Sequence, residues 1–184
     1  MTSAGLINLW TNFRAGNEEA YTSLMENFAA PLYNYGIRFV NDDDFIKDCI
    51  QDVFFELWKR RERINSTDYV KSYIFKALRL RIFREQGNWN NAEPIHENYQ
   101  FAVQLDTESV LIESQSSDEM TRKMQRLLNH LPRRQKEILY LRFYEGLDQD
   151  RIAEIMSLNR QSVYNLLHES ILRLRKSWLK EAVL

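Results

Sequence analysis

The chain has 184 residues, 44% of them hydrophobic, with five Gly, three Pro, a single Cys and a formal net charge of −1. That is enough for one domain or two small ones with packed cores, and so little Gly and Pro argues against a loop-rich β protein. No apolar run approaches the ~18–20 residues of a membrane span, no signal-peptide pattern opens the chain, and the lone Cys49 cannot close an internal disulfide, so a reducing cytoplasm is the expected home.

The near-zero charge hides an asymmetry. Residues 1–86 carry 12 Lys/Arg and 12 Asp/Glu, residues 87–119 carry none against 7, and residues 120–184 carry 13 against 7. The middle is therefore −7 and the tail +6. A basic segment is what contact with nucleic-acid phosphates requires.

In chain order, residues 2–13 form a short amphipathic helix with Leu6, Leu9, Trp10 and Phe13 on one face. Residues 18–40 repeat apolar side chains at Tyr21, Leu24, Met25, Phe28, Leu32, Tyr35 and Phe39, a helical period in which Pro31 predicts a bend or break. Asp42, Asp43 and Asp44 suit a helix N-terminus, where the dipole favours negative charge. The helix that follows, about residues 43–61, has apolar doublets at Phe45/Ile46, Cys49/Ile50, Val53/Phe54 and Leu57/Trp58. Those doublets bury one broad stripe. Asp48, Gln51, Asp52, Glu56 and Lys59 share the other face with Phe55. A large aromatic there is either an ordinary stray or the anchor of a protein interface.

Asn65, Ser66, Thr67 and Asp68 form a polar turn. The next helix, residues 69–85, interleaves Tyr69, Tyr73, Phe75 and Phe83 with Lys71, Lys76, Arg79, Arg81 and Arg84. Some of these aromatics must be core, because Val70, Ile74, Ala77 and Leu78 alone make a narrow stripe. The same mixture of rings and cations also suits unpaired bases, which need stacking surfaces and a cationic backbone track.

Residues 87–119 lack Lys and Arg, contain Pro94 and are rich in Asn, Gln, Ser and acids, the composition of a flexible acidic linker. Its 33 residues can extend to roughly 110 Å, more than the ~70 Å of two duplex turns. A helix over residues 118–130 then leads into LPRRQKEILYLRFYEGLDQDRIAEIMSLNRQSVYNLLHESILRL. Pro132 suits a first helical turn, Ile138, Leu139, Leu141 and Phe143 follow, and Gly146 can take the left-handed position that ends the helix. Asp148 is the next N-cap, with Leu147 and Ile152 as a hydrophobic staple. Asn159 repeats the device with Leu158 and Val163.

Two capped helices crossing near Ala153, with Ile152, Met156, Val163 and Leu167 inward, are the pattern of a helix-turn-helix. With Val163, Leu167, Ile171 and Leu174 buried, the second helix turns Arg160, Gln161, Tyr164, Asn165 and His168 outward, where this motif enters the major groove. Arg, Gln and Asn are side chains whose forked donors and acceptors match base edges. The bland alternative is a helical hairpin used for packing or protein contact. His96, His130 and His168 are scattered, and neither a metal-ligand spacing, a phosphate loop nor a nucleophile motif appears, so neither a cofactor nor an enzyme is expected.

LPRRQKEILYLRFYEGLDQDRIAEIM is similar to the promoter-binding C-terminal region of bacterial sigma factors of the small extracytoplasmic-function (ECF) group, and DCIQDVFFELWKRRERI is similar to their polymerase-gripping helix. The resemblance spans nearly the whole chain. It implies an all-α protein: a region 2-like domain at residues 1–86, the acidic linker at 87–119 and a region 4-like helix-turn-helix domain at 120–184. By position, Asp48, Gln51, Asp52 and Phe55 would face core RNA polymerase. Asn65, Ser66, Thr67 and Asp68 would form the pocket for a flipped base of the −10 element, with Tyr69, Lys71, Tyr73, Lys76 and Arg79 around it. Arg160, Gln161, Tyr164, Asn165 and His168 would read the −35 duplex.

In the family, such linkers pass through the polymerase interior, and an anti-sigma protein, often membrane-anchored, commonly holds the factor inactive. Tyr164 and Asn165 stand where the family often has a basic or small residue, which leaves the promoter sequence undetermined. The caps Asp148 and Asn159 replace the more usual hydroxyl residues. The rival reading is an ordinary dimeric helix-turn-helix regulator with an N-terminal sensing domain, binding a palindrome without polymerase.

Overall fold

The computed structural model describes residues 2–87, 99–103 and 115–181, and among them every regular element is helical. Much of the expected linker, residues 88–98 and 104–114, lies outside the described residues. The chain divides into two compact units. The first holds α1 (Ser3–Arg14), α2 (Glu18–Gly36), α3 (Asp43–Arg60) and α4 (Val70–Glu85). The second holds residues 99–103, α5 (Gln115–Asn129), α6 (Arg133–Leu139), α8 (Arg160–Glu181) and most of α7 (Gln149–Met156).

Side-chain caps start the first three helices. Thr2 accepts from the Gly5 N–H at 3.3 Å, Asn17 from Ala20 at 2.8 Å and Asp42 from Phe45 at 3.0 Å, each satisfying a donor that the first turn leaves without a helical partner. Gly16, at φ +88°, ends α1 in the left-handed conformation that a side chain would resist. Pro31 does not break α2, which runs on to Gly36. Gly36 is where α2 and α3 meet closely, since a Cβ there would stand 2.8 Å from Ile46 Cγ2.

The stripe read from α3 packs inward, with Ile46, Cys49, Ile50, Val53, Phe54 and Leu57 buried alongside Phe13, Leu24, Leu32 and Tyr35. Burial pushes the Cys49 thiol up to about 11, so it stays protonated and inert in the folded unit. The aromatics of α4 separate cleanly. Phe75 and Phe83 join the core, while Tyr69 and Tyr73 remain 46% and 40% exposed.

In the second unit, α6 passes directly into a π-helical turn, Tyr140–Tyr144, and Gly146 at φ +69° stops it. The wider turn buries Tyr140 and Leu141 and leaves Phe143 exposed. The caps of α7 and α8 form as the sequence predicts. Asp148 accepts from the Arg151 N–H at 2.9 Å, and Asn159 from Ser162 at 2.7 Å. Between them Ser157 takes φ +54°, and the Leu158 N–H reaches back to the Ala153 carbonyl at 2.9 Å, a Schellman closure made by a non-glycine residue.

Ile152, Ile155 and Met156 of α7 are buried, and so are Val163 and Leu167 of α8. The buried face of α8 then swings to Ser170 rather than Ile171. Ile171 is 46% exposed: positions 170 and 171 both lie within helical reach of Leu167, and the structure buries Ser170.

Candidate nucleic-acid interface

The N-terminal half of α8 presents Arg160, Gln161, Tyr164, Asn165 and His168, all exposed, on one face. Val163 and Leu167 behind them are buried, so the face cannot rotate without opening the core. Its side chains are already ordered by one another. Gln161 donates to Asn165 at 2.9 Å, and the Tyr164 and His168 rings lie 6° from parallel with centroids 6.2 Å apart. Arg160 sits 3.4 Å from the Asp150 carboxylate at the start of α7. These are solvent-exposed contacts of low net strength, exchangeable for base edges or phosphates.

In the first unit, Asn65, Ser66 and Asp68 are exposed and Thr67 is half-buried. The Thr67 hydroxyl accepts from the Tyr69 N–H at 3.1 Å, and the Ser72 hydroxyl donates to the Tyr69 carbonyl at 3.0 Å. Tyr69 and Tyr73 stand beside this loop, both exposed. Burial raises the Tyr73 hydroxyl above its ordinary value, which keeps it a neutral donor. Lys71 lies over the Phe75 ring at 5.6 Å and Lys76 is half-buried. Arg79 departs from the expected set. It is only 2% exposed, with its guanidinium 4.6 Å over the Phe83 ring, so it belongs to the core beneath the surface and not to the surface itself.

On α3, Asp48, Gln51 and Phe55 are exposed, Phe55 at 59%. Asp52 is engaged differently from its neighbours, taking the Arg81 guanidinium at 2.6 Å while Arg81 also reaches Glu85 at 3.0 Å. That leaves Phe55 as a large apolar side chain ringed by polar ones, the composition of an interface anchor.

Two features were missed in the sequence. The first is a tie from α1 to the start of the 65–68 loop. Arg14 Nε donates to the Ile64 carbonyl at 2.6 Å, and Trp10 Nε1 to the Asn65 carbonyl at 3.5 Å. The second is an anchor inside the acidic stretch. Tyr99 and Phe101 are buried, Tyr99 donating to the fully buried Glu137 and Phe101 meeting the Tyr140 ring edge-on at 5.9 Å. The Gln125 amide holds the Val103 carbonyl, and Arg133 lies over the Tyr99 ring. Aromatics within a strongly polar segment were the available signal, since they have no helical partner of their own to pack on.

The family model for sigma-70 region 4 matches residues 121–174, which contain the whole exposed face from Arg160 to His168. The chain is 21% identical over 160 residues to the ECF RNA polymerase sigma factor SigK of Mycolicibacterium vanbaalenii, covering 86% of this chain and 81% of that one. It is 24% identical over 155 residues to the RNA polymerase sigma factor SigV of Bacillus subtilis, covering 82% and 86%. Over most of its length the chain is thus similar to sigma factors, one of them named as of the extracytoplasmic-function (ECF) group.

Solved structures agree on its fold. The protein CnrH, in complex with the cytosolic domain of CnrY, matches with a TM-score of 0.63 at 15% identity over 96% of this chain and 97% of that one. The sigma factor RpoE of Bartonella quintana, in complex with the anti-sigma factor NepR, matches with a TM-score of 0.57 at 19% identity over 86% and 96%. Among the described residues, no helix is long and apolar enough to cross a membrane, and no three His, Cys, Asp or Glu side chains group as metal ligands.

Proposed function

We propose that this chain is an extracytoplasmic-function sigma factor and divides initiation among three surfaces. The α3 face, with Phe55 as anchor and Asp48, Gln51 and Asp52 around it, docks on core RNA polymerase. The loop of Asn65, Ser66, Thr67 and Asp68, flanked by Tyr69, Lys71, Tyr73 and Lys76, takes up an unstacked base of the −10 element. The α8 face from Arg160 to His168 reads the −35 duplex in the major groove. Region 2-like residues 1–86 and region 4-like residues 120–184 then work at separate promoter elements, joined by the acidic segment. Flipping a base costs a few kcal/mol, so the −10 surface needs both a stacking ring and a shaped polar pocket.

The observation that carries this reading is the α8 face. It places five exposed side chains, three of them of the types that match base edges, at the N-terminal end of a capped second helix within a region 4 match. In this scheme the protein makes and breaks no bonds itself, and it acts in the cytoplasm because the polymerase it serves is there. Both structural neighbours were solved bound to partner proteins, one named as an anti-sigma factor. An inhibitor of that kind is proposed for this chain too, covering its DNA and polymerase surfaces until released.

Run-off transcription with purified core polymerase, with and without this chain, on fragments of its own genome tests the scheme. Selective new start sites are expected, and their alignment yields both promoter boxes. Silence together with dimeric binding to a duplex palindrome would replace the scheme with an ordinary regulator. Affinity purification from uninduced cells is expected to recover a second protein besides polymerase, and recovery of polymerase alone counts against the inhibitor.

A further inference from the structure

The loop at residues 65–68 leaves the short 3-10 turn Arg61–Arg63, and carbonyls at the end of such a turn lack helical partners. The Ile64 and Asn65 carbonyls find theirs on α1. Arg14 Nε lies 2.6 Å from the first and Trp10 Nε1 3.5 Å from the second, from sequence positions fifty or more residues away. Neither donor is a free surface group. Trp10 is 1% exposed, stacked on Phe13 at 5.1 Å and edge-on to Tyr73 at 5.5 Å. One side chain therefore touches both the start of the loop and the exposed aromatic of α4 beside it. On the far side, Thr67 and Ser72 fix the Tyr69 peptide. The loop backbone is held at both ends while Asn65, Ser66 and Asp68 stay exposed.

We infer that Trp10 and Arg14 are positioning residues for base capture, with α1 setting the distance and orientation between the 65–68 backbone and the Tyr73 ring. This rests on the reading of that loop as the −10 pocket. A pocket discriminates between bases only if its polar groups are preset. A loop free to relax can meet wrong bases nearly as well as right ones. Arg14 suits the role because its Nε, part of the rigid guanidinium plane, makes a charge-assisted bond to a backbone carbonyl and fixes the main chain irrespective of the loop's side chains.

The test uses the full chain bound to core polymerase and fluorescent single-stranded oligonucleotides. One carries the −10 element read from mapped start sites, the other the same bases scrambled. R14M removes the donor and keeps the apolar stem, W10F removes the indole N–H and keeps a ring, and R14K restores a cation and a donor. R14M is expected to lower the matched-to-scrambled affinity ratio about tenfold, the scale of one charge-assisted hydrogen bond. Core polymerase affinity and scrambled-strand affinity should stay within twofold. R14K should recover part of the ratio and W10F should lower it less. If R14M empties the folded state, as a thermal melt will tell, W10F carries the same test.

The paired control is N65A with D68A. If that control lowers the ratio while R14M and W10F leave it unchanged, the loop reads bases without help from α1 and the inference is overturned. If the control too leaves the ratio unchanged, the pocket reading itself is wrong and the inference falls with it.

Discussion

On α8 the side chains from Arg160 to His168 are set by interactions close in sequence: the Asn159 cap, the Gln161–Asn165 bond, the Tyr164–His168 stack and the reach of Arg160 to Asp150. The entry to the loop at residues 65–68 is set by Arg14 and Trp10, side chains that only the folded first unit brings near. The comparison teaches how each surface must fail. A reading helix loses individual contacts and keeps its scaffold. A loop held from a distance loses its shape whenever its unit loosens, even if its own residues are intact.

The strongest way to break that contrast is to loosen the first unit alone. Phe54 is 1% exposed in its core, and F54A should cost about 3–5 kcal/mol. Cys49 supplies a built-in probe, since it is 2% exposed, is the sole thiol and is held protonated by burial. Alkylation of Cys49 under native conditions should therefore accelerate by roughly two to three orders of magnitude, following the population of open states. Single-stranded −10 binding should fall while duplex −35 binding stays within twofold. A parallel loss of duplex binding would show that the two surfaces are not independent.

The second-largest effect belongs to the anchor of residues 99–103. Y99F keeps the ring and removes the hydroxyl that meets the buried Glu137 carboxylate, a hydrogen bond to a charged group worth about 1.5–3 kcal/mol. The second unit should lose that much stability in urea, and the Cys49 labelling rate, which reports the first unit, should not move. An unchanged denaturation midpoint would mean that Glu137 is satisfied without Tyr99.

These two predictions draw on parts of the molecule of unequal legibility. The helix-turn-helix was readable because caps, staples and the inward set Ile152, Met156, Val163 and Leu167 are local, and both caps bond as their residue types require. The α3 stripe was readable for the same reason of period. What was not readable depended on distant partners. Nothing local separates Phe75 and Phe83, which go inward, from Tyr69 and Tyr73, which do not. A cation such as Arg79 ordinarily stays wet, so its burial over the Phe83 ring was not announced by its residue type. Ile171 has the right spacing to be buried, yet the buried face follows Ser170. The acidic composition of residues 87–119 hid Tyr99 and Phe101, because composition averages over the few side chains that pack.

A smaller effect sharpens the α8 side of the contrast. N159A removes the side-chain acceptor for the Ser162 N–H and should cost about 1 kcal/mol. Because the cap sits beside the reading face, fraying of the first turn should weaken duplex −35 binding several-fold, yet leave single-stranded −10 binding untouched. Fluorescence anisotropy with the two probes separates these outcomes. Equal losses on both would contradict the local origin of the α8 surface.

The smallest effect has opposite signs for stability and binding. Asp150 is an exposed acid in the first turn of α7, so it interacts favourably with the helix dipole and pairs with Arg160 at 3.4 Å. Losing both in D150A should cost no more than about 1 kcal/mol, since exposed pairs contribute little and are screened by salt. On DNA, the same carboxylate repels phosphates and competes for the guanidinium. Its removal should tighten −35 duplex binding about two- to fivefold at low salt, with the gain shrinking as ionic strength rises. R160A combined with D150A should show no such gain, because the freed cation is then absent. A gain that survives in the double variant would assign the effect to general charge near the DNA and remove Arg160 from the reading face.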